Sequence, residues 1–126
     1  MSELGERALQ SAETARRALA NGDATSAISR AYYAMFDAAR AMLETIDPDL
    51  LIAKTHASIF RRFAENYVHK LNGEREQVRA LRRAFKSRNQ TEYETARPSI
   101  ELAREALRDM DQFLSALGEI RSRDKP

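Results

Sequence analysis

The chain has 126 residues, which one domain fills and which suffice for a real core. Hydrophobic residues make up 43% and charged residues 32%, which excludes wholesale disorder, and a net charge of +2 is too small to argue by itself for nucleic acid. The absence of cysteine removes disulfides, thiol catalysis and thiolate metal sites; with no apolar run near the roughly 18–20 residues of a membrane span and no charged-then-apolar leader, a cytoplasmic chain without membrane contact is expected.

Helix one is predicted from about Ser2 to Ala20, with Leu4, Ala8, Ala12, Ala15 and Leu19 on one face. Asn21-Gly22 supplies a left-handed C-terminal cap and Asp23 the N-cap of the next helix, a joint that forces an antiparallel hairpin. The stretch Ser26–Leu43 then carries two apolar stripes at helical spacing. The small one is Ala27, Ala31, Ala34, Ala38 and Met42; the large one is Ile28, Tyr32, Met35, Phe36, Ala39 and Leu43, extended by Ile46. Only a narrow polar edge is left, made of Ser29, Arg30, Tyr33, Asp37 and Arg40. A helix this apolar is packed on several sides, which makes it the centre of a bundle and raises the expectation of a homodimer.

Proline disfavours helical dihedrals in the residue before it, so Asp47-Pro48 stops the central helix, and a short loop spans Asp49–Ala53. Helix three is predicted from Lys54-Thr55, capped by Thr55, with Ile59, Phe60, Phe63, Tyr67 and Leu71 inward and Asn72-Gly73 ending it. Helix four opens on Glu74 and Glu76 and closes on Arg82, Arg83, Lys86 and Arg88, an order that suits the helix dipole. Its apolar residues, Val78, Leu81, Ala84 and Phe85, form a narrow stripe. A bend or break is expected over Arg88–Ala96, where Thr91 and Thr95 weaken the helix. Pro98 is placed as a first-turn proline. Helix five follows with Ile100, Ala103, Leu107, Met110, Phe113 and Leu117, before Gly118 and a frayed polar end at 121–126. The fold class is therefore all-α, a bundle of four long helices and a shorter fifth element, with a domain over 1–120.

Few residues could carry chemistry. His56 and His69 lie thirteen residues apart, off a common helical face, so no metal site is expected; His56 decorates a helix start and His69 a helix end. No Gly-rich phosphate loop and no GxSxG signature occur, and no cofactor is expected. Arg75, Arg79, Arg82, Arg83 and Lys86 recur at i, i+3/i+4, a row able to contact several phosphates. RNQTEYE, Arg88–Glu94, joins a guanidinium, an amide, two hydroxyls and carboxylates; the arginine suits a developing phosphate charge, whereas a tyrosine of ordinary pKa near 10 is a poor base.

Four stretches together resemble the HEPN domains of bacteria and archaea: AISRAYYAMFDAARAML, KTHASIF, LRRAFKSRNQTEY and the acidic-apolar last helix. The likeness covers roughly Asp23 to Leu117, and the pairing of YYAMF with KTH is its most specific part. The resemblance implies an up-and-down helical bundle, commonly a homodimer. Many members of that family are RNases with an R-x4-6-H motif that both subunits bring to one cleft; others are non-catalytic binding modules. HEPN proteins are often encoded beside a minimal nucleotidyltransferase, as a toxin–antitoxin pair.

Carried onto this chain, Arg88 matches the motif arginine and Asn89 the polar residue that often follows, but Tyr93 stands where the R-N-x3-H form has histidine. No histidine follows His69, so the group that shuttles a proton near neutrality is missing from the motif's place. A formal match, Arg62-FAENYV-His69, lies on helix three instead. A related branch has an arginine followed by a short polar run ending in Asp-Tyr, and RNQTEY looks like a conservative version of it. The expectation is a dimeric binding component for RNA, a nucleotide or a nucleotidyltransferase partner. Arg88 and Tyr93 would be at its centre, with Asn89, Arg79, Arg82, Arg83 and Lys86 around the ligand; Tyr93 is also a suitable acceptor for a nucleotidyl group. The alternative is a metal-independent RNase in which Tyr93 or His69 serves beside Arg88.

Overall fold

The computed structural model describes residues 2–52, 55–93 and 97–123, with side chains up to residue 120. Among the described residues all regular structure is helical: α1 (Glu3–Ala20), α2 (Ala24–Ile46), α3 (His56–Ala64), α4 (Arg75–Tyr93) and α5 (Ile100–Arg123). A 3-10 turn, Pro48–Leu51, follows α2, and a π-helical turn, Glu65–Lys70, continues α3.

Two caps, Asp23 and Thr55, are those the sequence announces, and Ser2 adds a third. Ser2 accepts from the Gly5 amide at 3.0 Å, Asp23 from Ser26 at 3.0 Å and Thr55 from Ser58 at 3.1 Å, each satisfying an amide that the first turn leaves without a helical partner. Asp47 caps the 3-10 turn through the Asp49 amide, and Arg62 reaches back to the Leu50 carbonyl at 2.6 Å, tying this turn to α3.

α2 packs against α1, α3, α4 and α5 and is the hub of the bundle. Its small stripe meets Ala8, Ala12 and Ala15 of α1, all buried, so mostly methyl groups separate the two backbones. The large stripe lies within the core that Ile59, Phe60 and Phe63 of α3, Leu81 of α4 and Leu107, Met110 and Phe113 of α5 complete. Both stripes of α2 are thus largely covered within one chain, apart from partly open Ala38, Met42 and Ile46. The apolar surplus read as a reason to dimerise is consumed internally.

Four expectations are corrected. α4 runs unbroken through Arg88 to Tyr93, held by the Arg88–Glu92 ion pair at 2.8 Å one turn apart and by Thr91, whose hydroxyl donates to the Arg88 carbonyl at 2.8 Å. Residues 94–96, the rest of the expected bend, lie outside the described residues, as do Ala53 and Lys54. Pro98 is not in the first turn of α5: Ser99 caps that helix by accepting from Leu102 at 3.1 Å, so the proline precedes the cap. α5 continues past Gly118 because Ile120 is buried and anchors another turn, so the polar end 121–126 is helical as far as Arg123.

The end of α3 also differs in kind. Asn72, not Gly73, adopts the left-handed conformation, at φ 58°. Gly73 is required for another reason: a Cβ there would run into the Tyr67 ring, which stacks on Phe63 at 4.8 Å. At the first joint Gly22 does carry positive φ, 75°, with open space around it. Gly22→Ala is therefore expected to cost about 1 kcal/mol through backbone strain alone, and Gly73→Ala about 1–3 kcal/mol through overpacking. Urea unfolding measures both losses, and trimming the Tyr67 ring (Tyr67→Ala) should relieve the Gly73→Ala penalty and leave that of Gly22→Ala unchanged; no relief would contradict the overpacking cause.

Candidate functional site

The polar edge of α2 is the seam where the chain's cations and aromatic rings meet. Arg30 and Arg88 both lie over the Tyr33 ring, their guanidinium carbons 5.5 and 5.2 Å from its centre, and Arg40 lies 5.7 Å from that of Phe36. An arginine face held against a ring keeps its hydrogen-bonding edges free for something else. Asp37, in the same stripe, bonds Arg40 at 3.3 Å, and partial burial raises its carboxyl above the usual carboxylate range against the pull of Arg40.

α3 brings His56 to this seam. Its ring stacks on Phe36 at 4.6 Å and Phe85 at 5.0 Å and shares a hydrogen bond between Nδ1 and the Tyr32 hydroxyl. Burial and then the positive charge of Arg88 lower the pKa of His56, which favours the neutral imidazole; burial raises that of Tyr32, which stays protonated. With its proton on Nδ1 the ring donates to the Tyr32 oxygen and leaves Nε2 as a base; with the proton on Nε2 the hydroxyl donates instead. Sequence reading had placed His56 as a decoration of the helix start. The signal of its inward direction was its spacing from Phe60 and Phe63, i, i+4 and i+7 on one face.

Arg88 sits on the α4 side of the seam, its side chain 18% exposed. Beyond Tyr33 it contacts Glu92 at 2.8 Å and Asn89 at 3.2 Å, while its Nε–H is buried without a hydrogen-bond partner among the described residues. Tyr93 is not brought to it. Five residues along a helix turn it well away from Arg88, and it is 84% exposed, sharing a shallow surface with Phe85, Lys86, Asn89 and Gln90. His69 stands at the other end of the α3 segment, thirteen residues and about 20 Å of helix from His56. Within one chain the structure thus brings His56 close enough to feel the charge of Arg88, and leaves Tyr93 and His69, the residues considered as substitutes for the motif histidine, on other surfaces.

The basic row of α4 is partly neutralised. Arg83 reaches Glu76 at 2.7 Å and both oxygens of Asp109 at 3.3 Å, and Arg79 reaches Glu76 at 3.2 Å. Those hydrogen bonds, Glu76's first, push the pKa of Arg83 up, and Arg83's and Arg79's hold that of Glu76 below the usual range. Arg82 and Lys86 are exposed, with no ion-pair partner among the described residues. With Arg75, likewise exposed and without an ion-pair partner among the described residues, a ligand on this face would meet three uncommitted cations rather than a row of five. Among the described residues no group of three or more His, Cys, Asp or Glu is placed to hold a metal, and no helix is long and apolar enough to cross a membrane.

In an NMR titration His56 is expected to take its proton below 6.5, and Arg88→Ala to move that midpoint part of the way back, because burial is the larger cause. The unfolded chain binds this proton at higher pH than the folded one. Stability therefore falls as pH drops through 6.5 toward the folded pKa and levels off beneath it. His56→Gln should remove that slope from urea midpoints measured across the interval; a His56 that titrates at or above 6.5 would contradict the neutral imidazole.

The profile of the HEPN domain family matches residues 1–120. No curated protein sequence matches the chain. With the match spanning nearly the whole bundle, and Tyr32, Tyr33 and Phe36 of YYAMF meeting His56 and Arg88 at one seam within it, the chain belongs to the HEPN domain family.

Proposed function

We propose that this HEPN protein is a phosphate-ligand binding module, for RNA or a nucleotide, centred on Arg88. What supports the reading is one arrangement: a largely buried arginine and a second, exposed one share the Tyr33 ring beside a neutral histidine. Two guanidinium groups on one ring concentrate positive charge, the one on Arg88 largely buried, and a phosphate replacing Glu92 at Arg88 can accept two parallel hydrogen bonds from the guanidinium where Glu92 makes one contact. The protein acts in this reading as a homodimer and with a nucleotidyltransferase-type partner, both on the strength of the family resemblance.

A second reading, metal-independent RNase, draws on His56. With Nδ1–H given to Tyr32, the free Nε2 takes the proton of an RNA 2′-hydroxyl, the 2′-oxygen bonds phosphorus, and the 5′-oxygen leaves with a proton from water. Arg88 stabilises the extra negative charge on the phosphorus oxygens.

Arg88→Ala is expected to weaken binding of an RNA oligonucleotide by about 1.5–3 kcal/mol, roughly ten- to a hundredfold, with Arg88→Lys intermediate. Glu92→Gln, which releases Arg88, should tighten it. Fluorescence anisotropy reads all three, and an Arg88→Ala protein that binds as well as wild type overturns the proposal. Cleavage assays with chelator present separate the second reading: cutting lost in both Arg88→Ala and His56→Ala supports it, and an inert wild type removes it.

A further inference from the structure

A cleft of about 540 Å³ opens between α1 and the polar edge of α2, beside the Arg88 site. Arg7, Gln10 and Thr14 line it from α1, and Arg30, Asp37 and Arg40 from α2. Its three guanidinium groups face one carboxylate, and that carboxylate already has a partner in Arg40 at 3.3 Å. Arg7 is exposed and has no ion-pair partner among the described residues, so its charge is available. Tyr33 forms part of the cleft wall and also carries the Arg88 guanidinium, which makes cleft and site continuous.

The extent of this surface bears on the ligand's size. Arg30 to Arg40 spans ten residues of α2, about 15 Å along its axis, longer than one nucleoside monophosphate needs. Arg30 and Arg40 stand at its two ends, with Tyr33 between them carrying Arg30 and Arg88 on its ring, so the track offers spaced charges to a followed backbone rather than open ring faces to bases. Ser11, Gln10 and Thr14 add neutral hydrogen-bonding groups on the α1 wall.

We infer that the α1–α2 cleft is a second phosphate subsite. The ligand of the Arg88 site is then a single-stranded polynucleotide whose backbone runs from Arg88 past Arg30 to Arg7, rather than a mononucleotide. The inference rests on the reading of Arg88 as a phosphate contact. Asp37 is the opposing charge along this track, and with Arg40 it narrows the place where the backbone leaves.

The test uses a labelled oligouridylate and uridine monophosphate as probes of the full chain, with anisotropy measured over a range of salt. Arg7→Ala is expected to reduce the slope of log affinity against log salt by about 0.7, the share of one single-strand phosphate contact. Arg7→Glu should weaken the oligonucleotide roughly tenfold and leave the monophosphate unchanged. Asp37→Asn should tighten the oligonucleotide. Arg7 is exposed, so its variants should melt with wild type, and thermal unfolding checks that they do. If both Arg7 variants bind the oligonucleotide like wild type while Arg88→Ala loses both probes, the second subsite is overturned and the Arg88 site stands. If wild type binds neither probe, or Arg88→Ala changes neither, both readings fall together.

Discussion

The enclosure of α2 is the constraint from which the rest follows. A helix apolar over most of its circumference has no stable solution except to be surrounded, and α1, α3, α4 and α5 surround it. Alanines set how closely α1 approaches, while Tyr32, Met35, Phe36 and Leu43 set the volume that the other helices fill. What cannot be enclosed is the strip Arg30, Tyr33, Asp37 and Arg40, and the protein's unusual chemistry collects along it. The same residues that make the fold cohere leave one line along which a polar ligand can be met.

That line works because neighbouring helices hold its members in fixed positions. α4 stays helical through Tyr93, which fixes Arg88 over Tyr33; had the chain bent at Arg88, the guanidinium would have been free to leave. α3 begins at its Thr55 cap, and the next residue, His56, is thereby set against Phe36, Phe85 and the Tyr32 hydroxyl. Burial acts on both partners of that hydrogen bond in opposite directions, down for the imidazole and up for the phenol, so both are neutral near pH 7. A neutral pair next to a guanidinium neither repels Arg88 nor competes with a phosphate for it.

Much of this was legible before any coordinates. The stripes of α2 follow from period alone, and Asp23 and Thr55 announced their helices because a cap is a local bond between residues three apart. The continuity of α4 was misjudged because threonine propensity was weighed without the i, i+4 pairing of Arg88 and Glu92, although both residues were in plain view. Proximity across elements was out of reach. His56 lies 24 residues from Tyr32 and meets it only once α3 has folded back along α2. Arg83 is drawn off the basic row by Asp109 on another helix, 26 residues away. The candidate site is made of such long-range meetings, so the sequence could single out Arg88 but not the side chains that surround it.

The separation of Arg88 from Tyr93 changes what the chain's motif can mean. In a motif read along one helix, the spacing between two residues stands for a shared site, and five residues of α helix do not provide one. Here the arginine turns inward to α2 while the tyrosine stays outside with Lys86 and Asn89. The two ends of RNQTEY therefore serve different surfaces of the same molecule. The inward end has the preorganisation that charge stabilisation needs: a ring beneath the guanidinium, a carboxylate that fixes its plane, and little water. The outward end has only exposure, which suits a group that must be reached by another protein. The histidine nearest the inward end comes from α3 rather than from this segment, and the hub helix, through Tyr32, holds it in place.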